Sequence, residues 1–329
     1  MGVTLVTGGS GFIGSHLVAA LAERGERVRI LDIALPYAPL PGVAFTQGSV
    51  LDRDAVGCAF EGVDRVFHLA AVSHLWQRDR TVFERVNQCG TRVVLEAAAR
   101  AGVRRFVHCS TEAVLIGRTG SQPVDECTDP GLEAMAGPYC RSKYLAERDA
   151  LAAAAEGMPV VVVNPTAPIG PGDRGPTPPT AMLRLFLRGG PSLILNCLLN
   201  LVHVRDVADG MILAAERGLV GERYILGGTD VQLSDLAARL DHLAGRQPRR
   251  RRAIPGAVAL AAAMVDEWVS DRITHRPPRA PITGVRLALA ARGVNNGKAR
   301  HDLGYRARPL DEALGDAVAW LEQAEGSGT

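Results

Sequence analysis

A chain of 329 residues, 47% of them hydrophobic, can bury a large core as one α/β unit or two closely joined domains. Its 37 basic and 35 acidic residues leave a net charge of +2, which gives no basis for expecting a nucleic-acid partner. The six cysteines, Cys58, Cys89, Cys109, Cys127, Cys140 and Cys197, form no Cys-x-x-Cys pair or His/Cys cluster, so a zinc site or disulfide framework is not expected and a reducing compartment fits. The chain opens on an apolar strand pattern without a basic leader. Its most apolar later stretch, 254–265, is shorter than the ~20 residues that span a bilayer. A cytoplasmic protein with no transmembrane segment is the expectation. His16, His68, His74 and His203 lack the spacing of metal ligands, so no metal site is expected.

In chain order, the β-type run Val3-Thr4-Leu5-Val6 breaks into Thr7-Gly8-Gly9-Ser10-Gly11-Phe12-Ile13-Gly14 and continues as a helical pattern from Ser15 to Arg24. Glycines between a strand and a helix let the backbone approach a pyrophosphate, which the positive end of the helix dipole then faces. The spacing Gly-x-x-Gly-x-x-Gly differs by a step from the Gly-x-Gly-x-x-Gly of the dehydrogenase fingerprint. A second strand, Arg27 to Leu31, ends at Asp32, whose carboxylate can accept both hydroxyls of an adenosine ribose and would repel a 2′-phosphate. No arginine follows between Ile33 and Leu40, so NAD is favoured over NADP.

Strand and helix patterns then alternate: strand Val43 to Gln47, helix Asp54 to Phe60, strand Arg65 to Leu69, helix Thr81 to Ala101, strand Arg105 to Cys109 and strand Val160 to Val163. This rhythm predicts a Rossmann-like doubly wound parallel sheet that binds ligands past the C-terminal ends of its strands. Ala70-Ala71-Val72 and Ser110-Thr111-Glu112 sit at such ends. Small residues at the first place permit close cofactor approach. Hydroxyls at the second can hydrogen-bond a reacting oxygen or merely cap a turn.

Beyond Asn164 a Pro/Gly-rich segment leaves the regular sheet. The runs 201–204, 207–216 and 224–226 look like strand, helix and strand, and from Leu233 the chain is mostly helical, with Arg249-Arg250-Arg251-Arg252 in a loop. The stretch 254–268 reads as a core helix or as a substrate-entrance or membrane-surface helix helped by the preceding arginines. Residues 1–164 and 201–228 then form a dinucleotide-binding domain, residues 165–200 and 229–322 a smaller, mostly helical substrate domain, and residues 323–329 a flexible tail.

Tyr139-Cys140-Arg141-Ser142-Lys143 places a phenol and an ammonium four residues apart, on one face of a helix. A tyrosine titrating near pH ~10 is a poor base at neutral pH, and a nearby positive charge lowers its pKa. Lys143 could supply that charge, although the same spacing arises on ordinary amphipathic helices.

Together these residues resemble the extended short-chain dehydrogenase/reductases, also called the NAD-dependent epimerase/dehydratase family. The resemblance rests on the glycine turn, Asp32, His68-Leu69-Ala70-Ala71, Asn87-Gln88-Cys89-Gly90-Thr91, Ser110-Thr111, Tyr139 to Lys143, Asn164-Pro165 and His203-Val204-Arg205-Asp206-Val207. It runs from residue 3 to about residue 322. Leu75-Trp76-Gln77-Arg78-Asp79, Gly221 to Gly228 and Lys298-Ala299-Arg300 are similar to the hopanoid-associated sugar epimerase and dihydroflavonol-reductase-like branch. The resemblance implies Tyr139 as general acid/base, Lys143 holding the nicotinamide ribose and lowering the tyrosine pKa, and Thr111 orienting the substrate oxygen, with Ser110 as the alternative one position away. It also implies a dinucleotide site of Gly8, Gly11, Phe12, Ile13, Gly14, Asp32, Ser49, Val50, Leu69, Ala70, Ala71, Asn87, Tyr139, Lys143 and Pro165, a small-molecule substrate, and a homodimer built on the helices 81–101 and 139–156.

Three departures from the family pattern stand out. Gln47-Gly48-Ser49-Val50 lacks the acid that often holds adenine, so a hydroxyl or the backbone would take that contact. Glu112 follows Thr111 and reads as a solvated acid rather than a holder of a polar substrate group. Leu199-Asn200-Leu201 stands where many nucleotide-sugar enzymes carry an arginine that clamps a diphosphate. The expectation is an NAD-dependent oxidoreductase interconverting a secondary alcohol and a carbonyl on a hydrophobic or lipid-linked substrate. The alternatives are a sugar epimerase or dehydratase recycling tightly bound NAD, with Arg174, Arg184 or the 249–252 cluster replacing the clamp, and a non-catalytic nucleotide-binding regulator.

Overall fold

The computed structural model describes residues 2–117 and 122–326. The uncharged run Val3–Thr7 forms β1 and is buried throughout. The glycine turn feeds the chain into α1 (Phe12–Glu23), followed by β2 (Val28–Asp32), β3 (Ala44–Gln47), α2 (Arg53–Ala59) and β4 (Val63–His68). Asp52 starts α2 by accepting the backbone N–H groups of Asp54 and Ala55. A continuous helical stretch, 81–101, consists of α3 (Thr81–Phe83), a π-helical turn (Glu84–Cys89) and α4 (Gly90–Ala101). Next come β5 (Arg105–Cys109), α5 (Pro138–Ala155) and β6 (Val160–Pro165). Pro138 sits in the first turn of α5, where its missing N–H has no carbonyl to lose.

The second half comprises β7 (Ala167–Ile169), α6 (Pro178–Leu187), β8 (Leu193–Leu195), β9 (Leu198–His203), α7 (Val204–Arg217) and β10 (Arg223–Leu226). It ends with β11 (Thr229–Gln232), α8 (Leu233–Leu243), β12 (Arg252–Ile254), α9 (Gly256–Val269), α10 (Ile282–Ala290) and α11 (Leu310–Gly326).

The central sheet runs β10-β6-β5-β4-β1-β2-β3, and every neighbouring pair is parallel. Side chains alternate between its faces. Val6, Ile30, Phe67, Val107 and Val161 pack under α1 and α7, while Leu5, Leu31, Val66, Phe106 and Val162 pack under α2, α4 and α5. Burial on both faces is why these strands read as apolar runs rather than as alternating patterns. The strand order reverses between β1 and β4, which opens a crevice at their C-terminal ends.

The smaller part carries more strand than its sequence suggests. β9 pairs in parallel with β7 and antiparallel with β11, so residues 201–203 lie in this small sheet and not in the central one. β8 pairs with β12, and Arg252, expected in a loop, heads β12. Strands of three or four residues have no periodicity of their own, and only the partner strand defines them. Ile169, Leu183, Leu236, Leu240, Leu314 and Val318 gather α6, α8 and α11 around this sheet. Residues 323–326, expected to begin the tail, continue α11, and residues 327–329 lie outside the described residues. No described helix is long and apolar enough to cross a membrane.

Candidate active site

The turn after β1 is filled by backbone. Gly8 has φ 72°, and a Cβ there would stand 2.7 Å from the Ala70 nitrogen. A Cβ on Gly14 would overlap the Gly8 carbonyl oxygen and come to 2.8 Å from the Gly9 Cα. Gly11, Phe12, Ile13 and Gly14 line the resulting cradle, where the first-turn N–H groups of α1 have no carbonyl ahead of them in the helix. At the end of β2, Asp32 accepts the backbone N–H of Ser10 through Oδ2 and that of Ala34 through Oδ1, both at 3.0 Å. Asp32 therefore ties the glycine turn to the strand. Ser10, which sequence reasoning passed over, donates its hydroxyl to the Ala34 carbonyl at 2.8 Å.

Ser49, Val50, Leu69, Ala70, Ala71 and Pro165 line the same cleft, whose volume is about 1550 Å³. The Ser49 hydroxyl accepts the N–H of Leu51 at 3.1 Å and keeps its proton for a ligand. Asn87 departs from expectation. It is 1% exposed and does not line the cleft. Its carbonyl accepts the Val72 N–H at 2.7 Å, and its amide donates to the Val72 carbonyl at 3.1 Å and to Ser142 Oγ at 2.9 Å. Asn87 thereby fastens the loop after β4 to α5. Asn87 lies buried in the π-helical turn.

Tyr139 and Lys143 lie one turn apart on α5, and both line the cleft. Lys143 is 5% exposed and donates to the Cys109 carbonyl at the end of β5, 2.7 Å away. Thr111 lies beside the Tyr139 phenol and favours its ionised form. Its hydroxyl donates to Glu112 Oε2 at 3.1 Å and accepts the Ala113 N–H at 3.3 Å. Asn164, in β6, holds this loop by donating to the Thr111 carbonyl at 3.1 Å. The Ser110 hydroxyl is buried and has no partner among the described residues, yet Ser110 lines the cleft. The strand ends thus bring Ser110, Thr111, Tyr139 and Lys143 to one place.

The charges differ from the expected pattern in two respects. Burial pushes the Tyr139 phenol above its ordinary value, Cys140 and Glu112 push the same way, and Thr111 only partly offsets them. Lys143, whose ammonium is held on the Cys109 carbonyl, is itself pulled down by burial. Glu112, expected as solvated, forms part of the cleft wall, and burial raises its carboxyl to about 7.

Past Tyr139 the cleft is walled by Leu75, Leu198, Leu199, Leu287, Ala288 and Val294. Asn200, in the place of the absent arginine, is occupied by Asp230 and the Gly228 N–H, each at 2.8 Å. Of the cations considered as replacements, Arg184 pairs with Glu325 and Arg251 with the buried Asp241, and neither lines the cleft. Arg174 does line it, but its guanidinium stacks on Tyr37 at 3.1 Å, on the segment that follows Asp32. Arg205 and Arg292, which sequence reasoning did not single out, also line the cleft. His203 caps α7 by accepting the Arg205 N–H and reaches Asp316 at 3.2 Å, a structural role. Among the described residues no group of three or more His, Cys, Asp or Glu side chains is placed to hold a metal ion.

Comparison with known proteins agrees with this geometry. Residues 4–227 match the model of the NAD dependent epimerase/dehydratase family. A protein of Synechocystis sp. provisionally named dihydroflavonol 4-reductase is 37% identical, over 96% of this chain and 94% of that one. Sterol demethylase protein B of Methylococcus capsulatus is 33% identical, over 97% of this chain and 98% of its own length. The structure of MoeE5 in complex with UDP-glucuronic acid and NAD superposes with a TM-score of 0.75 at 28% identity, covering 98% of this chain and 100% of that one. The backbone-filled glycine cradle and Asp32 fit a dinucleotide without a 2′-phosphate. The chain belongs to the NAD-dependent epimerase/dehydratase family, and it is an NAD-dependent enzyme acting on a small molecule.

Proposed function

We propose that this enzyme interconverts a secondary alcohol and a carbonyl on an apolar or lipid-linked substrate. The observation that carries the reading is the substrate half of the cleft, where leucines and Val294 form the wall and Leu199-Asn200-Leu201 takes the place of a diphosphate clamp. The sterol in the name of the Methylococcus relative agrees with it.

A bound NAD, which Gly8, Gly11, Gly14 and Asp32 would hold, would supply the hydride acceptor or donor and, when oxidised, a positive charge. The remaining roles belong to the chain. Tyr139 takes the hydroxyl proton during oxidation and gives it back during reduction. With its phenol held above the ordinary pKa, Tyr139 is protonated at neutral pH, the form that reduction requires. Thr111 orients the substrate oxygen, and the unpartnered hydroxyl of Ser110 is a second donor beside it. Lys143, fixed on the Cys109 carbonyl, still has donors for a ribose hydroxyl. Leu75 and the leucines of the wall exclude water.

The test offers the enzyme NAD or NADH with a panel of apolar alcohols and ketones and a panel of nucleotide sugars, and follows NADH absorbance. Turnover of an apolar compound with net NADH change is expected. Tyr139→Phe loses roughly 10²- to 10⁴-fold in rate, and full activity in that variant would remove the assignment. A second reading, a sugar epimerase or dehydratase recycling its NAD, is favoured by Arg205 and Arg292 in the cleft. It gives product without bulk NADH change. A reducing, cytoplasmic location is part of the proposal, supported by six free cysteines. So is a homodimer on the helices 81–101 and 139–156, supported by the family resemblance and tested by light scattering.

A further inference from the structure

The segment α9 and the π-helical turn that follows it, Ser270–Thr274, form an apolar outer surface. Val258, Met264, Val265, Trp268 and Ile273 are between 54% and 64% exposed, so this is not a core helix. Its other side is seated: Ala259 and Ala263 are buried against Val285 of α10, with Leu195 and Ile254 around them. Exposed apolar side chains this closely grouped mark a contact surface.

The charges around the surface are sorted by sign. Glu267 and Asp271 both accept from Arg80, at 2.9 and 3.0 Å, and Asp266 accepts the N–H groups of Arg279 and Ala280. All three acids of the segment are thereby held by the protein. The guanidinium groups of Arg250 and Arg252 before the helix, and of Arg272, Arg276 and Arg279 after it, are exposed and make no bond to another described side chain. An apolar face bracketed by free cations, on a helix of 14 residues, is too short to span a bilayer and suited to lying in its surface.

We propose that this face docks α9 flat on an anionic lipid surface, with Trp268, Met264 and Val265 entering the headgroup boundary and the flanking arginines meeting lipid phosphates. A second copy of the chain fits the same surface poorly, because a twofold contact sets each patch against itself and would oppose these arginines to one another. The surface also leads inward. Leu195 belongs both to the cluster under α9 and to the cleft lining, and Leu287 and Ala288 of α10 line the cleft. The loop carrying Leu75 is tied to the same segment, since Trp76 donates to Asp271 at 3.0 Å. A cleft mouth held at a bilayer would receive an amphiphilic substrate directly. That use rests on the proposed reaction, whereas the docking itself does not.

The test sediments the full chain with vesicles of phosphatidylcholine alone or mixed with phosphatidylglycerol, at low and high salt. Binding to the mixed vesicles, lost in high salt, is expected. Arg272→Gln and Arg276→Gln each weaken it about fivefold, and Trp268→Ser weakens it further, while NAD titration of every variant stays unchanged and reports an intact fold. Absence of binding to mixed vesicles overturns the proposal, as does binding that the arginine variants leave untouched. A wild-type dimer in light scattering that Trp268→Ser converts to monomer, without vesicle binding, would assign the face to a second copy. None of these readouts requires turnover, so failure of the reaction assignment and failure of docking are separable.

Discussion

Replacing Glu112 by Gln isolates the burial of one charge in the cleft wall. The folded chain raises this carboxyl from an ordinary 4.5 to about 7, chiefly through burial. That difference in proton affinity corresponds to about 3 kcal/mol. Because the folded pKa lies above the unfolded one, the unfolded chain releases a proton between these values that the folded chain keeps. The contribution is fully present below pH 4.5 and is lost as pH rises to about 7. Glutamine does not ionise, and its carbonyl can still accept from Thr111 Oγ1. Urea unfolding of both proteins at about pH 4 and about pH 8 cancels every other titrating group. Near-equal stability is expected at the lower pH and a gain of about 3 kcal/mol for the variant at the higher. Parallel pH dependence of the two proteins would show that Glu112 is hydrated in solution, and the burial of its charge would be wrong.

Two further substitutions probe the cofactor cradle and the link between cleft and outer surface. Gly14→Ala forces a methyl into the Gly8 carbonyl and to 2.8 Å from the Gly9 Cα, both backbone, so the turn must open. Strain of ~1.5–3 kcal/mol at such a site lowers NAD affinity roughly 10- to 100-fold, read by NADH fluorescence titration, and unchanged affinity would move the dinucleotide elsewhere. Arg80→Ala removes the ion pairs to Glu267 and Asp271 and the cation–π contact with Trp76 at 5.3 Å. A stability loss of ~1–3 kcal/mol by urea unfolding should accompany a raised KM with little change in kcat, because the Leu75 loop loses its anchor while Tyr139 keeps its own. A fall in kcat alone would contradict that division of roles.

The central sheet and the glycine turn were legible in the residues because their signals are local. Apolar runs alternate with helical patterns, and glycines recur where a strand meets a helix, each decided by neighbours a few positions away. Asp32, Thr111, Tyr139 and Lys143 could be named for the same reason: each sits at a strand end or in a helix's first turns, and the parallel sheet brings such ends together. Folding over long sequence distances decided the rest. Nothing in the sequence around Asn87 shows that Val72 and Ser142 occupy its amide. Glu112 looked solvated until Thr111 and the cleft wall enclosed it, and the pairing of Lys143 with the Cys109 carbonyl depends on α5 lying across the end of β5. The strands β7, β8, β11 and β12 are too short to announce themselves and exist through their partners. The stretch 254–268 was apolar by sequence either way. Its exposure was settled by Ala259 and Ala263, which seat α9 on α10 and turn Met264, Val265 and Trp268 outward. Burial is a property of what packs against a residue, and the order of residues along one segment does not contain it.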